Sequence, residues 1–401
     1  MAYTVVDDPS AYFQTMLYVG SAGIFDPADG STASFTFDGN SNLQPDWMWF
    51  KGRNYANDWT SYDSTLGFGS NGDEENGALY PSITAAEGAG NTHSSYGYVK
   101  SFDTNGFTGE SGSIGAAGRA VWGYASQALA YGWKANGGST TSVSESGSGN
   151  GGINACTYQA NNTSGFSIIK YTGHRGTGIG DNNHTNVTHG LNTAPNFVFI
   201  KNITSGHTLP WVVLGKNIGE YSGAFANRHM KLHDNSARDG GDYVSNVAAD
   251  SNYVYVGNNN DVNYDGLEFM MYAFHDVQGF SKFGTYTGNA NVPNGTFVYT
   301  GFKPAWVLIK NMDAVEPWVL FDTKRDPFNL ATTKLSPETH QTENAVTGQG
   351  DAAYNNINIH SNGFKCRSNS AATAGNGNTI MYAAFAEEPL VTSGGVPATA
   401  R

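Results

Sequence analysis

Charged side chains are scarce in this sequence. Asp, Glu, Lys and Arg together make up 14%, well below the roughly 25% of an average soluble protein. The charge present has one dominant sign: 21 Lys and Arg against 34 Asp and Glu leave a formal net charge of −13. A chain that binds nucleic acid through its backbone needs a basic footprint, and this one has none. The same acidity opposes docking on anionic membrane surfaces. Cysteine is nearly absent. Cys156 and Cys366 stand too far apart for zinc-ligand spacing and are too few for a disulfide framework. No run approaches the roughly 20 apolar residues of a membrane-spanning helix. The start, Met1-Ala2-Tyr3-Thr4, carries neither the basic nor the apolar region of a secretory signal. No membrane insertion is expected.

What the chain does have is 39% apolar residues, 13% aromatics and 51 glycines. That mixture favours many tight turns between short strands and disfavours long helices. The expected fold class is all-β. The 401 residues suit about two to four β-domains.

One short pattern recurs three times. Pro45-Asp46-Trp47-Met48-Trp49-Phe50-Lys51 matches Pro195-Asn196-Phe197-Val198-Phe199-Ile200-Lys201, and both match Pro304-Ala305-Trp306-Val307-Leu308-Ile309-Lys310. Proline lacks the N–H a ladder needs, so it opens a strand. The apolar run reads as a strand covered on both faces. The lysine reads as the point where the chain leaves the core. Each copy is followed by a tryptophan (Trp59, Trp211, Trp318) that starts a returning hairpin strand. Each copy also has an upstream Tyr-x-Gly (Tyr18, Tyr171, Tyr286) and a closing aromatic strand near Tyr131, Tyr272 and Tyr382. Three tandem, divergent β-sandwich units of jelly-roll or lectin-like type follow, at 11–135, 165–278 and 279–390. A Gly/Ser-rich segment at 136–164 reads as a flexible linker. Residues 1–10 read as an N-terminal arm and 391–401 as a tail.

The opening Asp7-Asp8-Pro9-Ser10-Ala11-Tyr12-Phe13, the Tyr-Thr-Gly segments, Gly301-Phe302-Lys303-Pro304-Ala305-Trp306-Val307-Leu308-Ile309-Lys310 and the ending Phe385-Ala386-Glu387-Glu388-Pro389-Leu390 resemble a family of marine bacteriophage virion proteins with tandem β-rich repeats, described as tail-fibre-like. The resemblance runs along nearly the whole chain. It implies a virion component and no enzyme. No cofactor is expected, and the expected partners are the chain itself, as a trimer or another symmetric homo-oligomer, and either other virion proteins or a host-surface glycan. A capsid decoration protein and a tail-associated glycan depolymerase are the alternatives.

Candidate chemistry is thin. Gly67-Phe68-Gly69-Ser70-Asn71-Gly72 fits G-x-G-x-x-G, but the acidic Asp73-Glu74-Glu75 that follows would repel phosphate. His229 and His233 have a spacing that holds metal on a helix, with Arg228 and Lys231 crowding them. His174, His184 and His189 share one insertion. Asp261, Asn263, Asp265 and Gly266 fit the opening of a calcium loop, with Tyr272 where the closing glutamate belongs. Each of these reads more simply as a loop or turn, and no metal ligand is assigned. Asp58, Asp63, Glu220 and Asp322 are the carboxylates to consider for glycoside hydrolysis, without signature spacing. The repeated tryptophans Trp47, Trp59, Trp211, Trp306 and Trp318 read as core rather than as sugar platforms. Aromatics in loops that do not recur between the units, Tyr55, Tyr80, Tyr221 and Tyr264, are the better ligand-binding candidates.

Overall fold

The three proline-to-lysine segments become central strands of three like-built units. The computed structural model describes residues 4–19, 31–68, 77–88, 97–111, 127–147, 151–175, 184–216, 218, 228–240, 244–292, 294–343 and 356–399. The first unit holds β1 (Phe13–Val19), β2 (Thr32–Phe35), β3 (Trp47–Gly52), β4 (Thr60–Asp63), β5 (Tyr98–Asp103), β6 (Gly106–Glu110) and β7 (Gln127–Trp133). A short β8 (Thr141–Val143) and β9 (Cys156–Asn161) lead into the second unit. That unit contains β10 (Phe166–Thr172), β11 (Thr185–Thr188), β12 (Phe197–Asn202), β13 (Trp211–Gly215), β14 (Arg228–Lys231), β15 (Asp239–Gly240), β16 (Val244–Ala249), β17 (Tyr253–Val256) and β18 (Glu268–Phe274). The third holds β19 (Ser281–Thr287), β20 (Phe297–Tyr299), β21 (Phe302–Asn311), β22 (Val319–Asp322), β23 (Ile357–His360), β24 (Gly363–Cys366) and β25 (Thr379–Pro389).

Strand pairing repeats from unit to unit. The inner sheets share the orders β1-β7-β3-β4, β10-β18-β12-β13 and β19-β25-β21-β22, the second of them continued by β14 and β15 beyond β13 and by β9 and β8 beyond β10. The outer sheets run β2-β6-β5, β11-β17-β16 and β20-β24-β23. All named pairs are antiparallel. Each inner sheet packs on its own outer sheet, giving an all-β sandwich fold. The cores between them are built around Phe50, Tyr62 and Phe107 in the first unit, Ile200, Val212 and Val254 in the second, and Ile309, Phe321 and Phe364 in the third. Every residue of β3 and β12 is buried, because one face meets the sandwich core and the other meets the neighbouring units. Pro45 and Pro195 sit just before their strands, whereas Pro304 lies inside β21 at a register shift, where its missing N–H does no harm.

The opposite faces of the three inner sheets converge on one aromatic core. Trp47 of the first unit stacks on Tyr272 of the second with ring centroids 4.2 Å apart. Phe197 of the second stacks on Phe283 of the third at 5.5 Å. Trp306 of the third meets Trp133 of the first edge-to-face at 5.9 Å. Where all three meet, a void of only about 10 Å³ remains, no more than the roughly 10–15 Å³ needed to hold one water. Apolar burial on this scale is the main favourable term holding the units together.

Several sequence expectations need correction. The 136–164 segment is not simply a linker: β9 pairs with β10, and β8 pairs with β9, extending the second inner sheet. Gln159 on β9 also reaches back to the first unit, donating to Ser64 Oγ at 2.8 Å and Thr65 Oγ1 at 2.7 Å. The described part of the N-terminal arm is fastened down. Thr4 and Val6 are buried, and the Thr4 hydroxyl donates to the Gln278 carbonyl at 2.9 Å. The tail folds back through a Val391–Pro397 bridge, and Ser393 donates to the Asp7 carboxylate. The largest correction concerns the motif lysines. Lys51, Lys201 and Lys310 do not mark an exit to solvent; all three are fully buried.

Candidate ligand-binding surface

The buried lysines explain where the motif's polar residues go. Lys201 donates to the Leu209 carbonyl of its own hairpin and, at 3.1 Å, to the Thr84 carbonyl of the first unit. Lys310 donates to the Glu316 carbonyl and, at 3.1 Å, to Asn235 of the second unit. Lys51 donates to Asn57 and, at 3.2 Å, to the His340 carbonyl of the third unit. The tryptophans follow the same rule. The Trp211 indole N–H donates to Tyr80 O, that of Trp318 to Lys231 O, and that of Trp59 to Ser336 O. In every unit the lysine's acceptor lies four residues after the tryptophan's: 80 and 84, 231 and 235, 336 and 340. Second clasps first, third clasps second and first clasps third, so the contacts close a ring.

Two seams carry a further buried pair. Tyr272 donates its hydroxyl to Asp63 at 2.7 Å, and Tyr131 donates to Asp322 at 2.7 Å. Strand register puts Ala383 and Gly215 at the corresponding places of the remaining seam, so the pair is missing there. Asp322 is also held by the buried Arg325 guanidinium. Burial raises the Asp63 carboxyl to about 6, against the lowering effect of the Tyr272 hydroxyl and two backbone N–H groups. Burial lowers Lys51 and Lys201 to about 7 and Lys310 to about 8. Asp63 and Asp322, read from sequence as hydrolytic candidates, are thus seam residues. Asp58 accepts from Ser82 Oγ at 3.2 Å, and Glu220 lies outside the described residues.

The remaining sequence candidates separate clearly. Tyr80 is fully buried, so it is not a loop ligand contact; its carbonyl receives Trp211. Tyr221 lies outside the described residues. Tyr55 and Tyr264 are exposed, but the Arg175 guanidinium covers the Tyr264 ring at 5.1 Å. His229 is a buried strand residue of β14 rather than a helical one, and burial lowers it to about 4. His189 is buried as well, accepting from the Leu191 N–H and meeting the Asp250 carbonyl. The calcium-loop pattern is a capped helical turn, α1 (Asn260–Asn263). Its Asn263 side chain bonds Thr185, His174 and Asn154. Among the described residues no group of three or more His, Cys, Asp or Glu is placed to hold a metal. Of the G-x-G-x-x-G run only Gly67 and Phe68 are described.

Among the described residues, two of the surface clefts lie beside the end of β25. One, about 440 Å³, lies on the seam of the first and third units, where Lys303 pairs with Glu387 and Lys324 with Asp38. The other, about 490 Å³, is walled by Asp276, Gln278, Lys282, Tyr299 and Leu390. Tyr299 and Phe297 point outward from the edge strand β20 and are 59% and 44% exposed. The His360 ring lies edge-on to Phe297 with centroids 5.7 Å apart. Sequence reading missed this site. Its signal was the alternation Phe297-Val298-Tyr299, which puts both aromatics on one face and the valine on the other.

No curated protein and no solved structure matches the chain. A family model described as a domain of unknown function (DUF7483) matches residues 8–389, and the chain belongs to that family.

Proposed function

We propose that the protein is a non-enzymatic structural component of a phage particle, tail-fibre-like in role. It presents outer sheets and clefts to a host-surface glycan or a neighbouring particle protein. The observation that carries this reading is the closed ring of buried lysine and tryptophan contacts. It commits the motif's polar groups to fastening three sandwiches into one rigid body, and rigid presentation suits a display scaffold. The sequence resemblance to phage virion proteins supports the same reading. Self-association would turn weak single contacts into useful avidity.

A second reading, a capsid decoration protein, is favoured by the ring itself. Three like units around one centre suit a threefold position on a symmetric shell. Purified protein offered to host cells and to empty capsids separates the two. Adsorption to cells supports the fibre-like role and adsorption to capsids supports decoration. Binding to neither, together with absence from purified particles, would refute both. Release of reducing sugar from host glycan would instead establish a depolymerase.

A further inference from the structure

We propose that the cleft beside Tyr299 binds a neutral pyranose ring, an inference that rests on the display reading above and gives it a ligand class. The Tyr299 ring is left open by two glycines. Register places Gly363 directly across from it on β24, so no cross-strand side chain covers its face. On the other side Gly301 turns the chain at φ +84°, and a Cβ there would lie 3.7 Å from the Tyr299 hydroxyl oxygen. Gly363 cannot be replaced cheaply, because its Cβ would meet the Val298 carbonyl oxygen at 2.0 Å. The opening is therefore built into the backbone. An exposed aromatic face carries negative quadrupolar charge, and the polarised C–H groups of a sugar's apolar face are attracted to it.

The polar groups that share the cleft with Tyr299 suit hydroxyls rather than an ion. Asp276 and Lys282 form an ion pair, which cancels their net field. Each retains capacity: Asp276 accepts from Lys282 and from the Phe283 N–H, and a carboxylate has about four acceptor positions while an ammonium has three donors. The exposed Gln278 amide adds both types. A cleft of about 490 Å³ is in the range of small-ligand sites, roughly 300–1,000 Å³. The net charge of −13 disfavours acidic sugars.

The test is saturation-transfer NMR on the full chain with the methyl glycosides of glucose, galactose and mannose and with N-acetylglucosamine. At least one should receive saturation, with a Kd on the order of 1 mM, as expected for a single stacked ring. Tyr299→Ala should weaken it about tenfold or more and Tyr299→Phe by less than about twofold, since phenylalanine keeps the aromatic face. Lys282→Met should weaken it without abolishing it. No transfer from any of the four, or unchanged binding by Tyr299→Ala, overturns the assignment. Adsorption to host cells is measured in parallel. Adsorption to cells without binding of any of the four sugars sinks the cleft and leaves display standing. Sugar binding without adsorption to cells sinks host attachment and leaves the cleft standing.

Discussion

Replacing Tyr272 by phenylalanine removes one oxygen from the seam between the first and second units and leaves the ring in place. The hydroxyl donates to Asp63 Oδ2 at 2.7 Å, and both residues are almost completely buried. A buried hydrogen bond to an ionised partner contributes about 1.5–3 kcal/mol. Asp63 keeps its Thr65 and Leu66 N–H donors on the other oxygen, so the loss should fall within that range near pH 7. Thermal shift is a poor reporter here. At about 2.1 cal/mol/K per residue, 401 residues give only about 1 °C per kcal/mol. Denaturant titration is the better assay, with the midpoint moving and the slope unchanged. The effect also has a pH signature. The folded Asp63 carboxyl, raised to about 6, binds its proton more tightly than the unfolded one. Its contribution is therefore greatest at low pH and is lost as pH rises through about 6. Removing the hydroxyl raises Asp63 further. The penalty should be full near pH 7 and shrink towards the 0.5–1.5 kcal/mol of a typical hydrogen bond, roughly, at pH 5. A change under about 0.5 kcal/mol at pH 7 would mean that water reaches this seam, and the dry-seam argument would fail.

The seam lysines make a second prediction about pH. Folding lowers Lys51 and Lys201 to about 7 and Lys310 to about 8, so the unfolded chain holds those protons more tightly; stability from these groups should rise from about pH 7 towards pH 10, and a flat or falling denaturation midpoint would contradict it. Gly106→Ala should abolish or cripple folding, since φ is +115° and a Cβ would sit 1.9 Å from the Phe35 carbonyl oxygen. Gly137→Ala, at φ +63° with open space around it, should cost only about 1–2 kcal/mol; equal effects in soluble-expression and unfolding assays would refute the contrast. Cys156 and Cys366 are buried, and burial raises both thiols to about 11. Ellman's reagent should therefore label neither in native protein and both in denaturant.

Much of the fold could be read from the sequence, and the reason is specific. Trp47 to Lys51, Phe197 to Lys201 and Trp306 to Lys310 are short apolar runs, each preceded by a proline and rich in aromatic and β-branched residues, and that combination favours a strand covered on both faces over a buried helix. The ring could not be read. The acceptors at 80, 84, 231, 235, 336 and 340 are backbone carbonyls, which leave no residue-type signature. The lysines misled because lysine is almost never fully buried unless its ammonium is satisfied. The Gly/Ser content of 136–164 hid β8 and β9, although the alternation around Cys156 to Asn161 was a fair strand signal. Tyr80 looked like a loop residue because it lies outside the recurring motif segments. The Tyr299 cleft was missed because its openness comes from Gly363, 64 positions later in the chain (363 − 299), and only pairing shows that.

The ring closes where the chain does not, between the first and third units. Zero-length carbodiimide coupling followed by peptide mapping of the monomer fraction tests that seam directly. Lys324 Nζ lies 2.7 Å from the Asp38 carboxylate, both partly exposed. The predicted product is an amide joining these two residues within one chain. Coupling of Lys324 only to carboxylates of its own unit, with no link to Asp38, would contradict the closed arrangement of three sandwiches.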